Sequence, residues 1–266
     1  MQMRVVDDQR KPHVDSSSAD VRSLVSAEEW ALRVDLAACY RLVAHFGWDD
    51  LIFTHISAKI AGTHDFLINP YGLMFDEVTA SNLVRVDHDG NKTLPSEYEI
   101  NPAGYTIHSA IHEAREDAGC VLHTHTMQGV AVSCQKGGLL PISQQASIVI
   151  QSLSYHDYEG IAMNPDEKSR LQRNLGTARN FMLRNHGLLT VGRTVADAFL
   201  AMFTFQRACE IQVLAQSGGA ELQLIPQNVL DTVPEYSRAV MKGAGSSLTW
   251  PALLRLMDRI DSGFRN

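Results

Sequence analysis

Residues 120–126, Cys-Val-Leu-His-Thr-His-Thr, constrain this chain more than any other stretch. Alternate residues of a strand point to one face, so His123 and His125 share a side. They follow the apolar Cys120-Val121-Leu122, where a buried strand reaches its end. Two polar rings in such a place need a partner. A single cation can serve both, because neutral imidazole nitrogen suits Zn²⁺, Fe²⁺ and Mn²⁺. The pair alone is weak evidence: with eleven histidines in 266 residues, about 0.45 such pairs arise from composition, so the motif needs its context. A catalytic metal needs about three protein ligands and an open position. His186, in Leu-Arg-Asn-His-Gly-Leu-Leu, is a candidate third ligand, with Gly187 allowing a sharp turn beside it.

The surrounding sequence mixes helix and strand signals. Ser26 caps a predicted helix to His45, with Glu29 at the capping-box position and Gly47 as terminator. Ile52, Thr54, Ile56, Ala58 and Ile60 alternate as a strand. Short strands follow at Phe66–Ile68 and from Leu83, with Asp89-Gly90 as a hairpin signal. Asn101-Pro102 opens a helix to about Glu116. The tract 137–154 reads as loop and strand, and Leu188–Gly192 as a continuation of the strand Phe181–Asn185. Thr194 caps a long helix to about Ala215, stopped by Gly218-Gly219. The Leu253–Ile260 segment reads as a short amphipathic helix. The expected layout is a flexible arm over 1–25, a main domain over 26–216 and an extension over 217–266. The class is α/β or α+β with a layered sheet.

Composition narrows the function classes. With 23 basic and 30 acidic residues the net charge is −7. A net acidic chain without a basic run is a poor binder of phosphate backbones, so nucleic acid is not an expected partner. No stretch approaches the ~18 apolar residues of a membrane span, and the N-terminus lacks the apolar core of a secretory signal. Cys39, Cys120, Cys134 and Cys209 are widely spaced among apolar neighbours and read as buried, reduced thiols. These features point to the cytoplasm. There is no phosphate-binding GxxxxGK[ST] loop and no GxSxG elbow.

Other polar residues compete for attention. His108 and His112 stand at i and i+4 on the predicted helix and could bind metal. A solvated face beside Glu113, Arg115 and Glu116 explains them more simply. His55 and Ser57 share strand parity and fit either a structural or a pocket-lining role. Tyr155-His156-Asp157-Tyr158 is a dense cluster of the kind found in pockets, interfaces or hydrogen-bonded turns.

The run from Ile100 to Asp117, Cys120–Ser133, Gly138–Ser143, Tyr155–Ala162, Leu183–Gly192 and the helix ending Ala208-Cys209-Glu210-Ile211-Gln212 together resemble the class II aldolase/adducin family, closest to its adducin-head branch, over about residues 27–216. The resemblance implies a three-layer α/β/α domain around a mostly antiparallel sheet. It implies a homotetramer with active sites at subunit interfaces, and a divalent metal, zinc foremost with iron or manganese as options, on His123, His125 and His186. The sequence departs from the sugar-phosphate aldolases of the family. Their acid/base Glu falls on Gly104, and the two serines before it on Pro102 and Ala103. Their phosphate loop GNxS becomes Thr54-His55-Ile56-Ser57, and of their other turn only Gly72 survives. A pocket that has lost these donors is poorly suited to a phosphate.

The expected activity is therefore a metal-dependent lyase that cleaves a C–C bond of, or decarboxylates, a non-phosphorylated oxyacid or carbonyl compound. His55 and Tyr155 are the candidate catalytic residues. His55, Gly72, Gly104 and Gln144 are the candidate substrate contacts. Two alternatives stand: a non-haem Fe(II) oxygenase acting on a 2-oxo acid, and a non-catalytic adducin-like binding module.

Overall fold

Side-chain caps set where the main helices begin in the computed structural model, which describes residues 18–161, 166–240 and 245–266. Ser26 Oγ accepts the Glu29 N–H at 3.1 Å, Asn101 Oδ1 the Ala103 N–H at 3.0 Å and Thr194 Oγ1 the Asp197 N–H at 3.1 Å. Each satisfies an otherwise unpaired donor of a first helical turn. The chain runs α1 (Ser18–Leu24), α2 (Ala27–His45), β1 (His55–Lys59), β2 (Phe66–Ile68), β3 (Val84–Val86), α3 (Pro102–Ala114), β4 (Cys120–Thr124), α4 (Met127–Ser133), α5 (Gln144–Ile150), β5 (Leu153–His156), α6 (Glu167–Leu175), β6 (Asn180–Leu183), β7 (Gly187–Gly192) and α7 (Val195–Ser217). Then follow α8 (Gln227–Leu230), α9 (Val233–Val240) and α10 (Trp250–Ile260). Of the expected N-terminal arm, 1–17 lie outside the described residues, and α1 occupies most of the remainder.

The strands form one sheet in the order β3-β2-β1-β4-β7-β6-β5. All neighbours are antiparallel except β5 and β6, which are parallel. Strand parity divides the core. Ile56, Ala58, Cys120, Leu122, Met182 and Leu188 face α2, α5 and α7. Val121, Phe181, Leu189 and Val191 face α3 and α6. The result is the three-layer α/β/α domain, with both faces of the sheet covered.

Several local expectations change. The tract 137–154 contains a helix, α5, as well as β5. Its Ser-Ile-Val-Ile run favours a strand in isolation, but Ser143 caps it as a helix and Ala146 and Val149 pack into the α2/α7 core. α6 adds a further helix, unread in the sequence, after the Tyr155 cluster. Leu188–Gly192 does not continue β6; it turns back as β7, pairing antiparallel to it. Asn185 makes that reversal at φ +56°, a conformation asparagine tolerates better than most residues. Cys134 is exposed, while Cys39, Cys120 and Cys209 are buried free thiols. Beyond 217, α10 and the residues after it return to the main core. Trp250, Met257 and Phe264 are buried there, and Trp250 Nε1 donates to Asp35 at 3.0 Å. Among the described residues no helix is long and apolar enough to cross a membrane.

Candidate metal centre

β4 places His123 on the α3/α6 side of the sheet, and the chain leaves the strand with His125 still turned toward it. The antiparallel pairing of β4 with β7 brings the β6–β7 turn, and so His186, alongside. Ligand nitrogens of His123, His125 and His186 lie within 4.8 Å of one another. The three rings sit pairwise with centroids 4.6–4.8 Å apart. Gly187 is required beside them: a Cβ there would stand 2.4 Å from the Thr124 carbonyl oxygen.

The donor chemistry of the trio fits a cation. His123 Nδ1 lies 2.9 Å from the Leu188 carbonyl oxygen, which can only accept, so Nδ1 carries the proton. His125 Nδ1 lies 3.0 Å from Asp50 Oδ2, which likewise fixes its proton. Both Nε2 atoms are then bare lone pairs, and they face each other at 2.8 Å. Two lone pairs at that distance repel unless a proton or a metal ion sits between them, and the three convergent nitrogens suit the metal ion. Carboxylate and carbonyl anchoring of the far nitrogen is also the usual support of a metal-bound histidine. Burial and the neighbouring imidazoles hold His123 well below the ordinary histidine range and lower His186 to about 4. Neutral rings are the state a metal requires.

His55 adjoins this cluster. It pairs across strands with His123, their ring centroids 5.1 Å apart. Its Nδ1 contacts His108 Nε2 at 2.7 Å. Ser57 Oγ lies 2.5 Å from His108 Nδ1 and 2.7 Å from His112 Nε2. His108 and His112 are thus not on a solvated helix face: they are fully buried against β1. The charged residues that follow them concealed that in the sequence. Gly104 lies directly against His55; a Cβ at that position would come within 2.5 Å of His55 Cδ2.

The remaining candidates fall elsewhere. Tyr155 pairs with Met182 on the α7 side. Its hydroxyl accepts the Leu139 N–H at 3.2 Å, and the Arg184 guanidinium covers its ring at 4.2 Å. Gln144 is exposed at the start of α5, and Gly72 is exposed in the turn after β2 at φ +103°. None of the three touches the histidine trio. Sequence reasoning missed Asp50, whose role depends on a loop 75 residues before His125, and named Tyr158, whose ring lies 6.4 Å from His186, only as part of the Tyr155–Tyr158 cluster. A pocket beside His186 is lined by Tyr158, His156, Glu167, Arg184 and Ile107.

The model of the Class II Aldolase and Adducin N-terminal domain matches residues 34–213. The chain belongs to the class II aldolase and adducin family. A Pseudomonas aeruginosa protein, named only provisionally as an aldolase class 2 protein, is 63% identical over 95% of this chain and 98% of its own length. Alpha-adducin of Rattus norvegicus is 41% identical over 89% of this chain, which spans 34% of the adducin. Among solved structures, an aldolase II superfamily protein of Pseudomonas syringae superposes with a TM-score of 0.88 at 48% identity, covering 92% of this chain and 99% of that one. The L-fuculose 1-phosphate aldolase of Glaciozyma antarctica shares the fold, with a TM-score of 0.76 at 24% identity.

Proposed function

We propose that this member of the family is a divalent-metal-dependent lyase acting on a non-phosphorylated oxyacid or carbonyl compound. One observation carries the reading: His123 and His125 each have Nδ1 anchored and Nε2 bare, converging with His186 on one point. A cation held there, zinc foremost, would supply Lewis acidity to substrate oxygens. His55 is the catalytic residue of the proposal. The family resemblance aligns Gly104 with the acid/base Glu of the sugar-phosphate aldolases, and the His55 ring fills the space a side chain at 104 would need. The two departures are thus coupled, which supports His55 as the replacement. Burial lowers His55 to about 3, so at neutral pH the ring is uncharged, offers Nε2 as a hydrogen-bond acceptor and does not serve as a resting acid. The hydroxyl of Tyr155 is engaged by the 137–140 loop, so the proposal gives it no step. The working form is taken to be a cytoplasmic homotetramer with sites at subunit interfaces.

The test is the metal content of tag-free protein purified without oxygen. The expected result is about one equivalent per chain, lost in His123→Ala, and turnover of one member of a panel of hydroxy and oxo acids that disappears in the same variant. Turnover unchanged by His123→Ala would overturn the reading. The 41% identity to alpha-adducin favours a second reading, a non-catalytic binding module. Failure to take up any divalent ion would put that reading first.

A further inference from the structure

We propose that Ser57, His108, His112 and the Ala118 carbonyl are positioning groups that hold His55 in a single tautomer, its proton on Nδ1 and its Nε2 an obligate acceptor beside the three-histidine cluster. The assignment follows from the far end of the chain of contacts. His112 Nδ1 lies 3.0 Å from the Ala118 carbonyl oxygen. A carbonyl only accepts, so His112 carries its proton on Nδ1 and Nε2 is bare. Ser57 Oγ is 2.7 Å from that bare nitrogen, so the hydroxyl donates to it. The serine proton is then committed, and His108 Nδ1, 2.5 Å away, must be the donor to Oγ. A neutral His108 with its proton on Nδ1 has a bare Nε2. His55 Nδ1, 2.7 Å from it, must therefore donate. Every link has one permitted direction, and the sequence of donors ends with His55 Nε2 bare.

All the participating side chains are buried, so water does not randomise the direction. Burial also holds His108 well below the ordinary histidine range and lowers His112 to about 3, which keeps the rings neutral with one proton each. The wire ends on a carbonyl that cannot take up a proton. It therefore sets polarity and does not conduct protons to solvent. Resting on the lyase reading, the consequence is a preference in the substrate: the ligand must bring an O–H to His55 Nε2. A hydroxy acid satisfies that atom. A ligand offering only acceptors, such as a 2-oxo acid, sets lone pair against lone pair.

The experiment is solid-state NMR on the full chain carrying ¹³C,¹⁵N-histidine, with rings assigned through His55→Gln, His108→Gln and His112→Phe. The expected spectrum has His55, His108 and His112 all protonated on Nδ1 and bare at Nε2. In Ser57→Ala the direction is no longer imposed, and an Nε2–H form of His55 appears; Ser57→Thr, which keeps the hydroxyl, restores the single form. His55 protonated at Nε2 in the unaltered chain overturns the proposal, and this holds whether or not the Ser57 variants fold. An unchanged His55 signal in Ser57→Ala also overturns it. Calorimetric titration of the zinc-loaded chain with lactate and with pyruvate adds the consequence: lactate binds roughly ten-fold tighter, and Ser57→Ala narrows the ratio. The three Nδ1–H signals without binding of either acid support the wire and count against the lyase reading instead.

Discussion

His125 can aim Nε2 at His123 only while something holds its other nitrogen, and that something is Asp50, 3.0 Å away on the loop before β1. Asp50 is itself about half exposed, so the anchor acts through geometry more than through buried charge. Asp50→Ala is expected to leave the fold intact and weaken metal binding by about 10–100-fold. Competition with a chelator measures it; unchanged affinity would remove Asp50 from the site. His112 makes a different kind of prediction. Its folded value is about 3 against about 6.5 when unfolded. Between those values the unfolded chain binds a proton that the folded chain refuses. Its contribution to stability is therefore complete above about pH 6.5 and lost as pH falls toward 3, at about 1.4 kcal/mol per unit. Replacing His112 by Leu should lower stability at pH 7, because Ser57 loses a partner. It should also shrink the stability difference between pH 7 and pH 5 by about 2 kcal/mol. Urea unfolding at both pH values and one protein concentration reads this directly. An unchanged difference would mean that His112 is solvated in the folded chain.

At the scale of elements, α2 is fastened to the β2–β3 edge by a buried ion network. Arg33 is fully buried, donating to Glu29 at 2.9 Å and to the carbonyls of Ala80 and Leu83. Glu29 also takes Arg85 at 2.9 Å, and Arg85 holds Asp65. Glu29 caps nothing with its side chain, although its position suggested a capping box; only the Ser26 half of that motif forms. Glu29→Ala would leave the Arg33 guanidinium buried without its carboxylate, at about 3–5 kcal/mol. A urea midpoint matching the unaltered chain would refute that cost, whereas a double Glu29→Met, Arg33→Met change should recover much of the loss. The same contrast explains what could be read in advance. Caps act over three residues, so Ser26, Asn101 and Thr194 announced their helices. The strand period placed His123 and His125 on one face. His186 was suggested by its setting, but only the β4–β7 pairing brings it near. The β1–α3 contact that buries His108 and His112 is non-local, and their charged sequence neighbours pointed the other way. α5 was hidden by β-branched residues whose packing on α7 overrides their propensity.

The whole molecule leaves large apolar side chains exposed on the segments that build the site. Leu51 and Phe53 follow Asp50 on its loop, Met127 lies two residues past His125 with 81% of its surface exposed, and Tyr158 adjoins His186. Leu51 also holds a left-handed backbone at φ +51°, a conformation a branched side chain resists. Isolated exposed apolar residues are ordinary, but a group of them around one centre is the composition of an interface core. This grouping supports sites completed by a second copy, in keeping with the proposed tetramer. Light scattering should then give a mass four times the 29.4 kDa chain. Met127→Asp places a carboxylate where the proposed contact is driest. It should shift the mass toward the monomer and lower turnover while the far-ultraviolet circular dichroism stays unchanged. The metal content should persist at about one equivalent, because His123, His125 and His186 all come from one chain. Loss of metal along with the tetramer would mean that assembly, and not the β4–β7 pairing, holds the three histidines together. A tetrameric Met127→Asp with full turnover would place the interface on another face of the molecule.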